Sequence, residues 1–355
     1  MPFIFCMLVL LILGCQQSAS RPKIIFNVGN YLTELSAKSS SGNSDVILFY
    51  PGNCSGLFNG LDILSYVQLS EQLGLSYELA DYSFINNSKS FFDENGQRKS
   101  SVLIIPGGIP QFWFMKPCNG QKLECTGVDN ILRFMESGGS VITICYCGSA
   151  LFVKKTEYLC SMIRDIHRGK YDEYYPHRRP GLFRSRCGAY TFDGTLRGPQ
   201  ESNMNKVEGL PPYPRFTVLP IRMNPENYIV RKGELPEVVH QVVVGGGSIL
   251  PEENQPLDVV GWYPNGTAAI AIAPYGRGHL IMSNPHPNIT GAYIERLFSK
   301  SMEIHTKNWG WTDEQIAKGK KVFADAHKDP DGPEPDWALA KSMLSYAFEK
   351  AFQQQ

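Results

Sequence analysis

Apolar residues in this chain gather into two kinds of run. Short, nearly unbroken, β-branched stretches occur at "DVILFYPG" (Asp45–Gly52), "SVLIIPGG" (Ser101–Gly108) and "SVITIC" (Ser140–Cys145). The first two end at Pro-Gly, and the third follows Gly138-Gly139. Such runs predict strands buried on both faces. "SYELADY" (Ser76–Tyr82) predicts a further strand. Between them the apolar positions are spaced. Leu61, Leu64, Val67 and Leu73 with polar residues between them predict a helix over 61–73. Val128 to Met135 predicts another, stopping at the glycine pair. Strands alternating with helices imply a parallel sheet covered on both faces.

The second half is less regular. "HQVVVGGGSIL" and "PLDVVGWY" read as strands. "TAAIAIAPYGRGHLIMSNPHPN" (Thr267–Asn288) reads as a hairpin that turns at Tyr275-Gly276-Arg277-Gly278 and exits through His286-Pro287-Asn288. Beyond Trp311 two amphipathic helices are predicted, Thr312–His327 and Asp336–Phe352, with Thr312 and Asp336 as caps. The intervening "KDPDGPEPD" lacks the spacing of a calcium-binding EF-hand loop and reads as a solvated linker. The expected organisation is a signal over 1–20, one α/β domain over 21–305 and a helical C-terminal extension over 306–355.

Charge adds little: 34 basic residues balance 34 acidic ones, with no basic cluster to suggest nucleic acid or an anionic membrane surface. The N-terminus changes the picture more. Phe3 to Leu13 is almost wholly apolar, too short to span a bilayer, and Ser18-Ala19-Ser20 follows. This predicts export. Ile12-Leu13-Gly14-Cys15 also loosely fits a bacterial lipoprotein box, so secretion and lipid anchoring at Cys15 both stay open. A lipid there is the only membrane attachment expected.

Export changes how the nine cysteines are read. Cys6, and Cys15 if cleavage lies beyond it, leave with the signal. Cys54, Cys118, Cys125, Cys145, Cys147, Cys160 and Cys187 then remain, an odd number that fits paired cysteines plus one free thiol. Cys118 and Cys125 flank the polar "NGQKLE" and are the expected disulfide. Sequons stand at Asn53, Asn86, Asn265 and Asn288.

The candidate chemistry lies at the strand ends, where ligands of such sheets bind. "GGSVITICYCGSALF" (Gly138–Phe152) places cysteine where a strand turns toward a helix. A nucleophile elbow has that form, and a thiol there is activated by the helix N-terminus. Gly107 and Gly108 end the neighbouring run and would offer N–H groups to an oxyanion. His286, leaving the late hairpin, would be the base.

The ordered series "VILFYPG", "VLIIPGG", "GGSVITICYCGSA", "VVVGGGSIL" and "YGRGHLIMSNPHPN" resembles the biotin-protein ligase N-terminal-type domain of the class I glutamine amidotransferase-like superfamily. The resemblance covers roughly Asp45 to Leu297. It implies an α/β, flavodoxin-like, doubly wound, mainly parallel sheet with helices on both faces; the C-terminal helical tail falls outside it. The family's elbow reads Gly-Gly, three residues, then Gly-x-Cys-x-Gly. That register implies Cys145 as nucleophile, with Thr143 and Cys147 where the family has glycines; Cys147, followed by Gly148, Ser149 and Ala150, is the alternative. The family's His-Pro-Glu becomes His286-Pro287-Asn288, which puts Asn288 in the triad's acid position. An asparagine can orient an imidazole but cannot supply negative charge.

No adenylate loop of the biotin-ligase type, synthetase domain, P-loop, CxxC pair or HExxH motif is found, and no cofactor is expected. Two functions follow. One is an exported Cys-His amide hydrolase acting on a small molecule or peptide. The other is a non-catalytic exported domain binding the same class of ligand.

Overall fold

Four of the predicted apolar runs form strands: β1 (Val46–Phe49), β2 (Tyr77–Ala80), β3 (Val102–Ile105) and β4 (Ser140–Ile144). In this computed structural model the described residues are 28–38, 43–52, 57–107, 120–145, 150–156, 183–187, 189–190, 196–197, 216–244, 247–251, 257–289 and 337–354. The signal region with Cys15, and Asn53, Cys54, Gly108, Cys118, Cys147, Cys160 and the helix expected over 312–327, lie outside them.

Helix α1 (Val28–Lys38) precedes β1, and α2 (Leu57–Leu73) follows it. Short helices α3 (Tyr82–Asn86) and α4 (Ser88–Phe91) lie between β2 and β3, and α5 (Cys125–Glu136) leads into β4. Then come β5 (Val153–Thr156), β6 (Phe183–Cys187) and a small ribbon of β7 (Ala189–Tyr190) with β8 (Leu196–Arg197). β9 (Phe216–Met223), helix α6 (Tyr228–Lys232), β10 (Val238–Val244), β11 (Gly247–Leu250) and β12 (Asp258–Trp262) follow. The hairpin β13 (Ala268–Tyr275) and β14 (Gly278–Ser283) and the helix α7 (Ala338–Phe352) complete the described fold.

The main sheet runs β10-β9-β12-β13-β14-β4-β3-β1-β2. Its half β2-β1-β3-β4-β14 is parallel throughout. With β14 as fifth strand this is the flavodoxin-like order. Along this order the remainder is antiparallel, and off it β5 pairs β6 in parallel. The sheet is therefore mixed, which corrects the expectation of a mainly parallel one. The single strand expected over "HQVVVGGGSIL" is two, with β10 on β9 and β11 on β13 and β6. Strand β9 has no counterpart in the sequence reading because Pro220 interrupts its pattern. Pro220 lies opposite His240 of β10, and β12 meets β9 only near Met223, so the lost N–H costs no ladder bond to β12.

Alternate residues of each strand feed two cores. Leu48, Ile104, Ile142 and Ile281 face α2 and α7, while Phe49, Leu103, Val141 and Met282 face α3, α4 and α5. Helices thus cover both faces, as a doubly wound sheet requires.

The hairpin turn fixes β14 beside β4. Arg277 donates from its main-chain N to Glu136 O (3.3 Å) and from Nη2 to Ser137 O (3.0 Å). Gly276 has φ +58°, and a Cβ there would lie 2.5 Å from Glu136 Cα. Only glycine lets the turn sit on the end of α5.

The C-terminal helix is not an appendage to the sheet. Leu339, Ala340, Met343, Leu344 and Ala347 of α7 are fully buried in the same core as β3, β4 and β14. The sheet half around β4 has this helix as a cover. Leu344→Ala is expected to cost about 2–5 kcal/mol, the range for a buried leucine, read as a lowered urea midpoint. A chain ending at residue 311 is expected to lose cooperative unfolding.

Candidate active site

Three strand ends and one buried helix converge. Cys145 follows β4 directly and adopts φ +64°, one of two non-glycine residues in the left-handed region among those described. That conformation costs about 1–2 kcal/mol for a residue with a Cβ. It is the backbone signature of a side chain held on a sharp turn. Cys145 is only 8% exposed.

His286 arrives from the hairpin exit. Pairing of Ser283 with Ile144 brings the ends of β14 and β4 level. The histidine N–H then donates to Val242 O (2.8 Å), pinning the exit to β10. Its side chain is 1% exposed and lies beside Cys145: a Cβ added at Gly107 would meet His286 Cε1 at 2.8 Å and Cys145 Cβ at 3.0 Å.

The partner of His286 on the other side is Asp62, a residue the sequence reading passed over. Asp62 lies in α2 and is fully buried. Its Oδ1 pairs with His286 Nδ1 at 2.9 Å and accepts from Asn288 Nδ2 at 2.9 Å. Its Oδ2 accepts from the Gly107 N–H at 2.7 Å. A signal for it was present. Helix α2 buries Leu61, Ile63, Leu64, Tyr66 and Val67, so it is enclosed nearly all round. An acid inside such a helix must find partners in the interior.

Two expected roles change. Asn288, expected in the triad's acid position, has a side chain that donates to Asp62. The acid facing the imidazole is Asp62. The Gly107 N–H, expected to hold an oxyanion, is engaged by the same carboxylate. Gly107 instead matters through its missing side chain: a Cβ would lie 2.8 Å from Asp62 Oδ2, 2.8 Å from His286 Cε1 and 3.0 Å from Cys145 Cβ. Gly108 and the alternative nucleophile Cys147 lie outside the described residues, as does Cys118. Cys125, its expected disulfide partner, is a half-buried free thiol at the start of α5.

Burial opposes charge on the His286 ring. The Asp62 carboxylate, aided by the Cys145 sulfur, outweighs it and raises the imidazole to about 10. His286 is therefore held as the imidazolium at neutral pH. No grouping suited to a metal ion occurs among the described residues.

Asn288, the acceptor residue of its sequon, is fully buried and its side-chain nitrogen is committed to Asp62. A glycan there is incompatible with this fold. Asn86 is also engaged, to Lys122 O (2.8 Å) and from Glu124 N (2.9 Å), whereas Asn265 is exposed in the turn before β13.

Comparison with known proteins finds no matching family profile and no matching curated protein. Solved structures do match at low identity. A glutamine amidotransferase from Thermotoga maritima is 11% identical, covering 86% of this chain and 97% of its own, with a TM-score of 0.43. A ThuA-like protein from Bacteroides uniformis is 11% identical over 68% of this chain and 81% of its own, with a TM-score of 0.38. An exo-β-1,4-mannosidase from an Opitutaceae bacterium is 9% identical over 79% of this chain and 36% of its own, with a TM-score of 0.36.

Asp62→Asn tests the buried pairing. The amide offers one acceptor oxygen where three donors converge, and its NH2 group faces a donor. The variant is expected to lose about 3–5 kcal/mol, the cost of breaking a buried ion pair, seen as a fall in urea midpoint. The pH dependence has a defined sign. The folded imidazole titrates above its unfolded value, so the stability it supplies is complete below pH about 6.5 and lost as pH rises toward about 10. Urea midpoints are expected to fall over that window, and His286→Gln to flatten the fall.

Proposed function

We propose that the protein is an exported cysteine-dependent amide hydrolase of the class I glutamine amidotransferase-like type, similar to the biotin-protein ligase N-terminal-type domain. Cys145 is its nucleophile, His286 its acid and base, and Asp62 the group that orients the imidazole. The observation that carries this reading is the buried His286–Asp62 pair with Cys145 beside the imidazole, where the ends of β3, β4 and β14 meet α2. The parallel strand order and the left-handed backbone of Cys145 support it. The apolar leader supports export, with the lipid at Cys15 as the alternative to free secretion.

In this mechanism the imidazolium favours the thiolate form of Cys145. The thiolate attacks the amide carbonyl carbon, and the C–O π electrons move to oxygen. As the tetrahedral adduct collapses, the C–N bond breaks and His286 gives its proton to the leaving amine. A thioester remains. Water, losing a proton to His286, attacks it; the C–S bond breaks, releasing the acid and regenerating the thiolate. Asp62 keeps the ring oriented and offsets its charge. The substrate is a small molecule or peptide carrying an amide, a γ-glutamyl amide among them.

A second reading has specific support. The Gly107 N–H is occupied by Asp62 and Cys145 is nearly covered. Both suit a cleft that binds the same ligands without turning them over.

Alkylation separates the two. The iodoacetamide reaction of Cys145, followed by peptide mass spectrometry, is expected to hold its rate from pH 9 down to below pH 7. Free cysteine, with its midpoint near about 8.5, serves as the comparison. His286→Ala should return Cys145 to that ordinary profile. A wild-type Cys145 that titrates like free cysteine sinks the hydrolase reading and leaves the binding domain.

A further inference from the structure

Helix α7 comes from the part of the chain that lies beyond the family resemblance. It covers β3, β4 and β14, the strands whose ends carry the site. Its entry residue, Trp337, is 2% exposed, and its indole N–H donates to the Asn288 main-chain O at 2.8 Å. The side chain of the same Asn288 donates to the Asp62 oxygen that pairs with His286.

We infer that Trp337 is a positioning residue for the site, holding the hairpin exit so that Asn288 fixes Asp62 and Asp62 fixes His286. This rests on the hydrolase reading given above.

The constraint can be followed along the loop. His286 N is tied to Val242 O, and Ile289 N bonds back to His286 O at 3.2 Å. Those bonds anchor residue 286 and close the turn. The Ile289 N–H and the Asn288 carbonyl share one peptide plane, so Trp337 grips at its oxygen edge the plane that Ile289 holds at its nitrogen edge. The Ile289 side chain, 1% exposed, packs in the same core as the indole. Among the described residues Asn288 Oδ1 has no hydrogen-bond partner. The Asn288 side chain is thus set by one bond, to Asp62, and by its main chain. Rotation of that peptide would withdraw Nδ2 from the carboxylate. It would also leave the Asn288 carbonyl buried without a donor, which is costly.

The chemistry of the contact explains why the indole suits it. The group to be satisfied is a buried carbonyl acceptor, and the indole is a donor only, so the pairing has one sense. Its rings fill core volume at the same time. Phenylalanine supplies the volume and lacks the donor.

The test uses the full chain with Trp337 replaced by 3-benzothienylalanine, which puts sulfur in place of the N–H and keeps the ring system. Trp337→Phe is the recombinant counterpart. Two readouts are taken: the His286 titration, followed by the 13Cε1 resonance of the ring, and the pH profile of Cys145 alkylation. The isostere is expected to keep the wild-type melting temperature within a few degrees. Its His286 midpoint should fall by about one pH unit, which is a tenfold change, and Cys145 alkylation at pH 6 should slow by about the same factor. An isostere that folds with an unchanged His286 midpoint, or that loses its fold, makes the bond structural alone and overturns the inference. A wild-type Cys145 with an ordinary thiol profile would defeat the hydrolase reading separately, and the His286 midpoint still decides the role of Trp337.

Discussion

A carboxylate buried in the middle of an apolar helix is the constraint around which the site is built. Asp62 has no access to water. An isolated charge in that position is prohibitively expensive, so the fold must bring donors to it. It brings three, from two segments: the Gly107 N–H at the end of β3, and His286 and Asn288 from the exit of β14. Satisfying one side chain of α2 therefore fixes two strand ends relative to each other. A glycine is required at 107 because the space a Cβ would fill is already occupied by Asp62, His286 and Cys145.

The same constraint links the two halves of the sheet. Strand β14 is the fifth parallel strand, yet it enters from an antiparallel hairpin. Its place is set by the turn seated on the end of α5, its register by the pairing with β4, and its exit by the bond from His286 to β10. Only that combination delivers an imidazole to the turn where Cys145 holds its strained backbone. The antiparallel half thus buttresses the loop that carries His286.

Much of this was legible in the residues and some was not. Runs such as Val46–Phe49, Val102–Ile105 and Ser140–Ile144 identify themselves because strands buried on both faces admit few polar residues. The hairpin turn at Gly276 is equally plain. The antiparallel extension was hidden by Pro220 in β9 and by the glycine run that divides β10 from β11. Convergence of Cys145 with His286 follows from strand-end logic. Asp62 did not stand out because its neighbours read as an ordinary amphipathic helix, whereas α2 is enclosed nearly all round. Whether a helix is one-sided or surrounded depends on what packs against it. Here α2 meets strand β1 and also helix α1. The expected oxyanion role of Gly107 failed for a related reason, since its N–H was already claimed by an acid invisible to local pattern.

Asn288 makes sense once Asp62 is in view. A carboxylate at 288 would sit against the carboxylate of Asp62, and two such groups about 3 Å apart cannot both stay ionised. With the acid placed on α2, the residue two beyond the histidine is required to be a donor, and asparagine is one. The exchange has a mechanical consequence. An acid on the histidine's own loop moves with it, so the two can drift together without losing contact. An acid on a buried helix is fixed by the scaffold, and the loop must be brought to it and kept there. That need for an external anchor is why a bond from the beginning of α7 to the Asn288 main chain bears on the geometry of His286, although Trp337 touches neither the imidazole nor the sulfur.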